Sequence, residues 1–215
     1  MVRGNYKVSE ETCRRLLMAA GELFACHGTE AVTVRDITAK AGTKPNAISY
    51  HFGGKEKLVD AVWDYCLRRW DNSRLENYLK ENASLLETRD GQRQLVTDAV
   101  DIFYDNLHAE GQPMWINRFL MRSVINAQGI ERMRTAVGEH VIGAFCSLFR
   151  QITGNDDQLS ALCWTMNIIS PGSYLTASAT DFLTFAPAEK IDYALLRRQQ
   201  AAVTRNALYA VGLGE

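Results

Sequence analysis

Only four prolines are spread over 215 residues, so little in the chain breaks backbone hydrogen bonding and long helices are expected. No apolar run approaches the roughly 20 residues that a membrane-spanning helix needs. The segment Met1–Lys7 lacks the apolar stretch of a secretion signal. A soluble, cytoplasmic protein is expected. Five cysteines, Cys13, Cys26, Cys66, Cys146 and Cys163, are odd in number and form no C-x-x-C pair. They read as free thiols in a reducing compartment, not as a disulfide framework or a structural zinc site. The four histidines are isolated, without H-E-x-x-H, and both a nucleotide-binding glycine loop and G-x-S-x-G are missing. Neither an enzyme nor a cofactor is expected. Charge of one sign is also lacking, since the net charge is −1. Residues 1–60 carry nine Lys/Arg against seven Asp/Glu, and the remainder fifteen against eighteen. That mild asymmetry is compatible with a small DNA-reading head on a larger acidic body.

What is present is helical periodicity. Over Ser9–His27, Leu16, Leu17, Ala20, Leu23 and Phe24 recur on one face, and Gly28 ends the run. Thr33-Val34-Arg35-Asp36 reads as a capping box opening a short helix, Val34–Ala41, which Gly42 stops. Pro45 suits the first turn of a third helix, Pro45–Phe52. Two short helices around a glycine-containing turn have the size of a helix-turn-helix. After Gly53-Gly54 a long helix is expected from Lys55 to about Lys80, with Trp63, Cys66 and Trp70 on one face. Further helices are expected at Gly91–His108, Met114–Ala127, Ile130–Thr153, Asp156–Ala179 and Pro187–Val211. Ser170-Pro171-Gly172-Ser173 should interrupt and bend the fourth of these. No stretch alternates with period two, so the fold class is all-α.

A recognition helix presents short polar side chains to base edges in the major groove. Lys44, Pro45, Asn46 and Ser49 form such a set, backed by Ile48 and Phe52 facing the core. Asn46 can read adenine bidentately, Lys44 can reach guanine or a phosphate, and Pro45 can touch a thymine methyl. Asn46 has a plainer reading as a helix-start residue, and Tyr50 as filler of the helix-turn-helix core.

The run Val32-Thr33-Val34-Arg35-Asp36-Ile37, then Ala41-Gly42 and Ile48-Ser49-Tyr50-His51-Phe52-Gly53-Gly54-Lys55-Glu56-Lys57-Leu58, resembles the DNA-binding domain of the TetR family of bacterial regulators. The resemblance implies a three-helix head at residues 1–54 and a helical regulatory and dimerisation body at 55–215. It implies that Thr33, Arg35, Tyr50, His51 and Lys55 join the recognition set, the last three as phosphate-clamping residues. Ser49 stands where many members have tyrosine, which should change the operator sequence. The implied protein is a homodimeric repressor, bound to near-palindromic operator DNA and released by a small, largely apolar effector. The last two helices would form the dimer interface.

In the body, Trp63, Trp70, Phe103, Trp115, Phe119 and Trp164 are candidate effector-lining residues, with a packed core as the alternative. Two rival functions share the helical fold: a ligand-independent DNA-binding or architectural protein, and an all-helical enzyme with a scattered triad.

Overall fold

The computed structural model describes residues 3–70, 73–107, 113–123, 127–177 and 193–214. Among them there is no strand, as the periodicity predicts. The chain forms two compact units, one of Met1–Arg69 with Pro113–Ser123 and one of Trp70–Gln112 with Val124–Glu215. No helix among the described residues is long and apolar enough to cross a membrane.

The first unit contains α1 (Arg3–His27), α2 (Val34–Ala41), α3 (Ala47–Phe52), α4 (Lys55–Leu67) and α7 (Trp115–Ser123). Its core takes Leu16, Ala20 and Phe24 from α1, Ile37 from α2 and Ile48 from α3, all at 1% exposure or less. Leu58 and Val62 of α4 and Ile116 and Leu120 of α7 close it. The head is thus packed around one apolar cluster fed by five helices.

The capping box forms as expected. The Thr33 amide donates to Asp36 Oδ2 at 2.9 Å, and the Asp36 amide donates to Thr33 Oγ1 at 3.2 Å. At the other end of α2, Gly42 has φ +61°, a left-handed cap that glycine adopts without strain. The Arg15 guanidinium of α1 donates to the Ala41 carbonyl and, at 3.0 Å, to the Gly42 carbonyl. A Cβ at position 42 would lie 2.6 Å from Arg15 Nη2. Gly42→Ala should therefore strain the turn and push Arg15 off its two acceptors at once. A loss of about 1–3 kcal/mol is expected, readable as a lowered denaturant midpoint. An unchanged midpoint would show that the clamp contributes nothing.

The second unit contains α5 (Ser73–Glu81), a 3₁₀ turn (Ala83–Glu87), α6 (Arg89–Leu107) and α8 (Ala127–Met133). A π-helical segment (Arg134–Ile142) leads into α9 (Gly143–Thr153), followed by α10 (Gln158–Ala177) and α11 (Tyr193–Ala210). Helix α6 packs against α5, α9, α10 and α11. Val96, Val100, Phe103 and Tyr104 of α6 meet Phe145 and Leu148 of α9, Trp164 and Ile168 of α10, and Val203 of α11 in one buried core. Arg89 and Arg93 donate to the carbonyls of Gly212 and Leu213, tying down the end of α11.

Several boundaries differ from those expected. The helix from Lys55 ends at Leu67, not near Lys80. The Arg69 amide there bonds the Cys66 carbonyl at 3.1 Å, an i→i+3 tightening that closes the last turn. Trp70 lies beyond that end and packs on Phe103. Trp63 and Trp70 thus do not share a helix face, although their seven-residue spacing suits one. Pro45 sits in a turn before α3, where the Ala47 amide donates to Lys44 O at 3.0 Å. That is position i+1 of a four-residue turn, where proline's fixed φ is at home.

Helix α10 also runs unbroken through Pro171. Two carbonyls near the proline accept from side chains of other helices. Tyr104 Oη donates to Ile168 O at 3.2 Å, and Gln199 Nε2 to Pro171 O at 3.0 Å. The proline ring takes away the helical donor of the Asn167 carbonyl, four residues back, and the two contacts tie α10 to α6 and α11 on either side of that missing bond. The expected start of the last helix at Pro187 lies outside the described residues.

Candidate nucleic-acid interface

Helix α3 is short, and its orientation is set by one residue. Ile48 is fully buried, so the flanking positions must face outward. Lys44, Pro45, Asn46 and Ser49 are all exposed, and together they form the outer face of the turn and of the first turn of α3. Asn46 occupies the N-cap position, yet its side chain makes no cap hydrogen bond. Its amide is left available for an external partner, which removes the reading of Asn46 as a side-chain cap. Tyr50 is 82% exposed, so it does not fill the core of the helix pair. Its ring stands on the same outward side as Ser49 and is free to meet a partner surface.

The remaining members of the set lie around this face. Arg35 is exposed on α2. Thr33 is exposed too, but its hydroxyl is engaged with Asp36, donating to Oδ2 at 2.6 Å. That hydroxyl and the Thr33 amide hold the Asp36 carboxyl below its ordinary pKa. His51 is half-buried, its ring 4.8 Å from that of Tyr50 and edge-on to it. Its Nδ1 lies 3.3 Å from Cys13 Sγ of α1. Lys55, half-buried, is the first residue of α4. The preceding Gly54 has φ +139° and ψ 174°, a conformation essentially closed to other residues. That turn presents the unpaired first-turn amides of α4 beside the Lys55 ammonium, an arrangement suited to one phosphate.

Two contributors were not singled out from the sequence. Arg15 and Cys13 lie 26 and 38 residues from their partners in this head. Neither sits in the motif, and only the packing of α1 across α2 and α3 brings them there.

The six aromatic residues expected to line an effector site divide between the two units. Trp63, Trp115 and Phe119 belong to the first unit, and Trp70, Phe103 and Trp164 to the second. Trp63 packs edge-on to Phe119 at 5.1 Å, and Trp115 stacks on Tyr65 at 5.9 Å. Phe103 joins Trp70 at 6.0 Å and Phe145 at 6.2 Å, and Phe145 joins Trp164 at 6.1 Å. All six are buried to 8% exposure or less. Two open clefts in the second unit, of about 540 and 620 Å³, are lined by none of them. No cluster of metal-ligating side chains occurs among the described residues.

Residues 16–62 match the family described as bacterial regulatory proteins, tetR family. Over 56 residues the chain is 41% identical to the HTH-type transcriptional repressor Rv3405c of Mycobacterium tuberculosis, covering 26% of this chain and 30% of that one. It is 36% identical over 86 residues to the repressor KstR2 of Rhodococcus jostii, covering 40% of each. With the transcriptional activator FasR of Mycolicibacterium smegmatis it shares 30% identity over 110 residues, 51% of this chain and 47% of the relative. The chain thus spans less than half the length of each of these relatives. Among solved structures, that of HlyIIR, a hemolysin II transcriptional regulator, superposes with a TM-score of 0.56 at 18% identity. The match covers 91% of this chain and 98% of that one, so the fold is shared well beyond the head.

Proposed function

We propose that the chain, whose residues 16–62 match the bacterial regulatory proteins of the tetR family, is a TetR-type homodimeric, DNA-binding transcription regulator, acting as a repressor released by a small molecule. The observation that carries this reading is the outward face of Lys44, Pro45, Asn46, Ser49 and Tyr50 over the buried Ile48. The DNA-reading segment is residues 1–54, with 55–215 serving regulation and dimerisation. Two recognition helices would enter successive major grooves, about 34–36 Å apart. Lys55 and the first amides of α4 would hold a phosphate, and Tyr50 and His51 would flank it. Thr33 would contribute through its place at the start of α2, since its hydroxyl is already engaged.

Selection from a random duplex pool tests the reading directly. The protein should enrich a near-palindromic sequence, and its affinity should fall steeply with salt as phosphate contacts release counterions. Lys55→Ala should weaken every duplex alike and reduce the salt slope by about one. Asn46→Ala should relax preference at one base step, by about 1–3 kcal/mol. A chain that enriches nothing at modest salt is not a sequence-specific binder.

The effector is proposed to be a mostly apolar molecule that reaches the aromatic residues of the body. The buried indole N–H of Trp70 supports this, because it has no acceptor among the described residues. A ligand carbonyl or hydroxyl could supply one. The effector must bind the DNA-free state preferentially, since only differential affinity shifts the equilibrium.

A further inference from the structure

We infer that Cys13 is a positioning residue for the DNA-facing histidine: its thiol donates to His51 Nδ1, so that the neutral ring carries its proton on Nε2 and offers an N–H to a backbone phosphate. The inference rests on the reading of the head as a DNA-binding surface for its second half, but not for its first.

The geometry is a 3.3 Å approach between Cys13 Sγ on α1 and His51 Nδ1 on α3, partly buried and 38 residues apart in the chain. Two neutral arrangements fit that distance. In one the thiol donates to an imidazole lone pair. In the other an imidazole N–H donates to sulfur. The thiol is weak both as donor and as acceptor, and the arrangement inferred is the first, in which its proton meets the good acceptor that an unprotonated ring nitrogen supplies. A thiolate–imidazolium pair would be a third, but burial and the nearby Glu10 push the Cys13 pKa up and keep its proton on sulfur. The same retained proton makes Cys13 a poor nucleophile, which sets it apart from a reactive sensor cysteine.

Once Nδ1 accepts, its tautomer is fixed and Nε2 is the donor. Nε2 has no hydrogen-bond partner among the described residues, and it is not shut away from solvent. The Tyr50 ring, edge-on at 4.8 Å, limits how the imidazole can tilt. A neutral donor held at a fixed angle suits a phosphate oxygen beside the Lys55 ammonium. Without the thiol the ring could rotate and exchange tautomers, and Nε2 would present a lone pair to an anion for part of the time.

The test has two arms. Nitrogen-15 spectra of the free protein, recorded about two pH units above the ordinary imidazole pKa, read the tautomer of each histidine. His51→Gln assigns the signal. The wild-type ring should be held as the Nε2–H form. Cys13→Ala should give a mixture, and Cys13→Ser, which keeps a donor, should restore the single form. A wild-type ring protonated on Nδ1 overturns the inference whatever the DNA result.

The second arm measures affinity for the selected duplex. Cys13→Ala should cost about three- to tenfold per half-site on all sequences alike, and Cys13→Ser should recover most of it. In a His51→Gln background Cys13→Ala should cost nothing further. An equal loss with and without His51 would mean that Cys13 acts through packing alone, and would overturn the positioning role. If the wild-type chain selects no duplex, the DNA-binding reading falls, while the spectra still decide the tautomer.

Discussion

Trp164→Ala is expected to destabilise the second unit by about 3–5 kcal/mol, the usual cost of truncating a large buried aromatic. Against a total stability of about 5–15 kcal/mol, that loss is large enough to lower the melting temperature by about 6–20 °C in a chain of this size. The reason is geometric. Trp164 is 4% exposed, and its ring meets Phe145 and Phe149 with centroids 6.1 and 5.7 Å away. Its indole N–H also donates to the Ala207 carbonyl at 3.0 Å. Ala207 lies in the last four residues of α11, where carbonyls have lost their helical donors. Trp164 thus joins α10 to α11 by a hydrogen bond as well as by area.

A pair of conservative changes separates those contributions. Trp164→Phe keeps a ring but removes the donor to Ala207, leaving a buried carbonyl short of its partner at about 1–3 kcal/mol. Trp70→Phe removes an N–H that has no acceptor among the described residues. Both changes shrink a buried ring and leave a cavity, so Trp70→Phe should cost less than Trp164→Phe by about the 1–3 kcal/mol of the hydrogen bond that only Trp164 gives up. Thermal melts of the two variants, side by side, decide the matter. If Trp70→Phe proves the more damaging, Trp70 holds a polar contact that the folded chain does not display. If Trp164→Ala leaves stability intact yet changes effector affinity, Trp164 lines a pocket and is not a core residue.

How much of this was readable in advance follows the range of the interactions involved. The head was legible because its signals are local. The Thr33–Asp36 box, the left-handed Gly42 and the Gly53-Gly54 break each act within four residues, and each appears in the structure where the sequence puts it. The end of α4 at Leu67 was not legible, since an apolar repeat from Trp63 to Trp70 continues whether or not the backbone does. The helix ends at Leu67, and Trp70 beyond it packs on Phe103. The π-helical segment over Arg134–Ile142 left no mark in composition, because a change of one residue in the hydrogen-bond ladder alters register and not polarity. Pro171 was misleading for a related reason. Its local effect is the loss of one backbone bond, and the contacts that hold α10 beside it, from Tyr104 and Gln199, come from other helices.

The apolar residues of the last two helices show the same limit, and sorting them leads to the second large effect. Ala161, Ile168, Leu175 and Val203 are buried within the chain at 6% exposure or less. Leu162 and Tyr209, on the same two helices, are 37% and 71% exposed, and Leu159 and Tyr174 on α10 are 70% and 63% exposed. Periodicity reports that a residue is apolar at helical spacing, and not which side of a helix meets its own core. The exposed subset is what a second copy of the chain would cover under the proposed dimer.

Leu162→Asp combined with Tyr209→Asp should therefore yield a folded monomer. Both side chains are outward-facing in the single chain, so intrachain stability should change by no more than about 0.5 kcal/mol per site. Two carboxylates facing a partner would each need desolvation without a counter-ion, which opposes association strongly. Sedimentation of the parent at micromolar concentration should show a dimer, and of the variant a monomer with unchanged helical content. The consequence for DNA is larger than for the protein. A dimer reads two half-sites with one loss of translational freedom, so splitting it should lower affinity for a palindromic duplex by about 10²–10⁴-fold. Affinity for an isolated half-site should barely move, which distinguishes lost pairing from a damaged head. A parent chain that sediments as a monomer, or a variant that holds the full operator as tightly as the parent, would place the interface elsewhere or remove it from the mechanism.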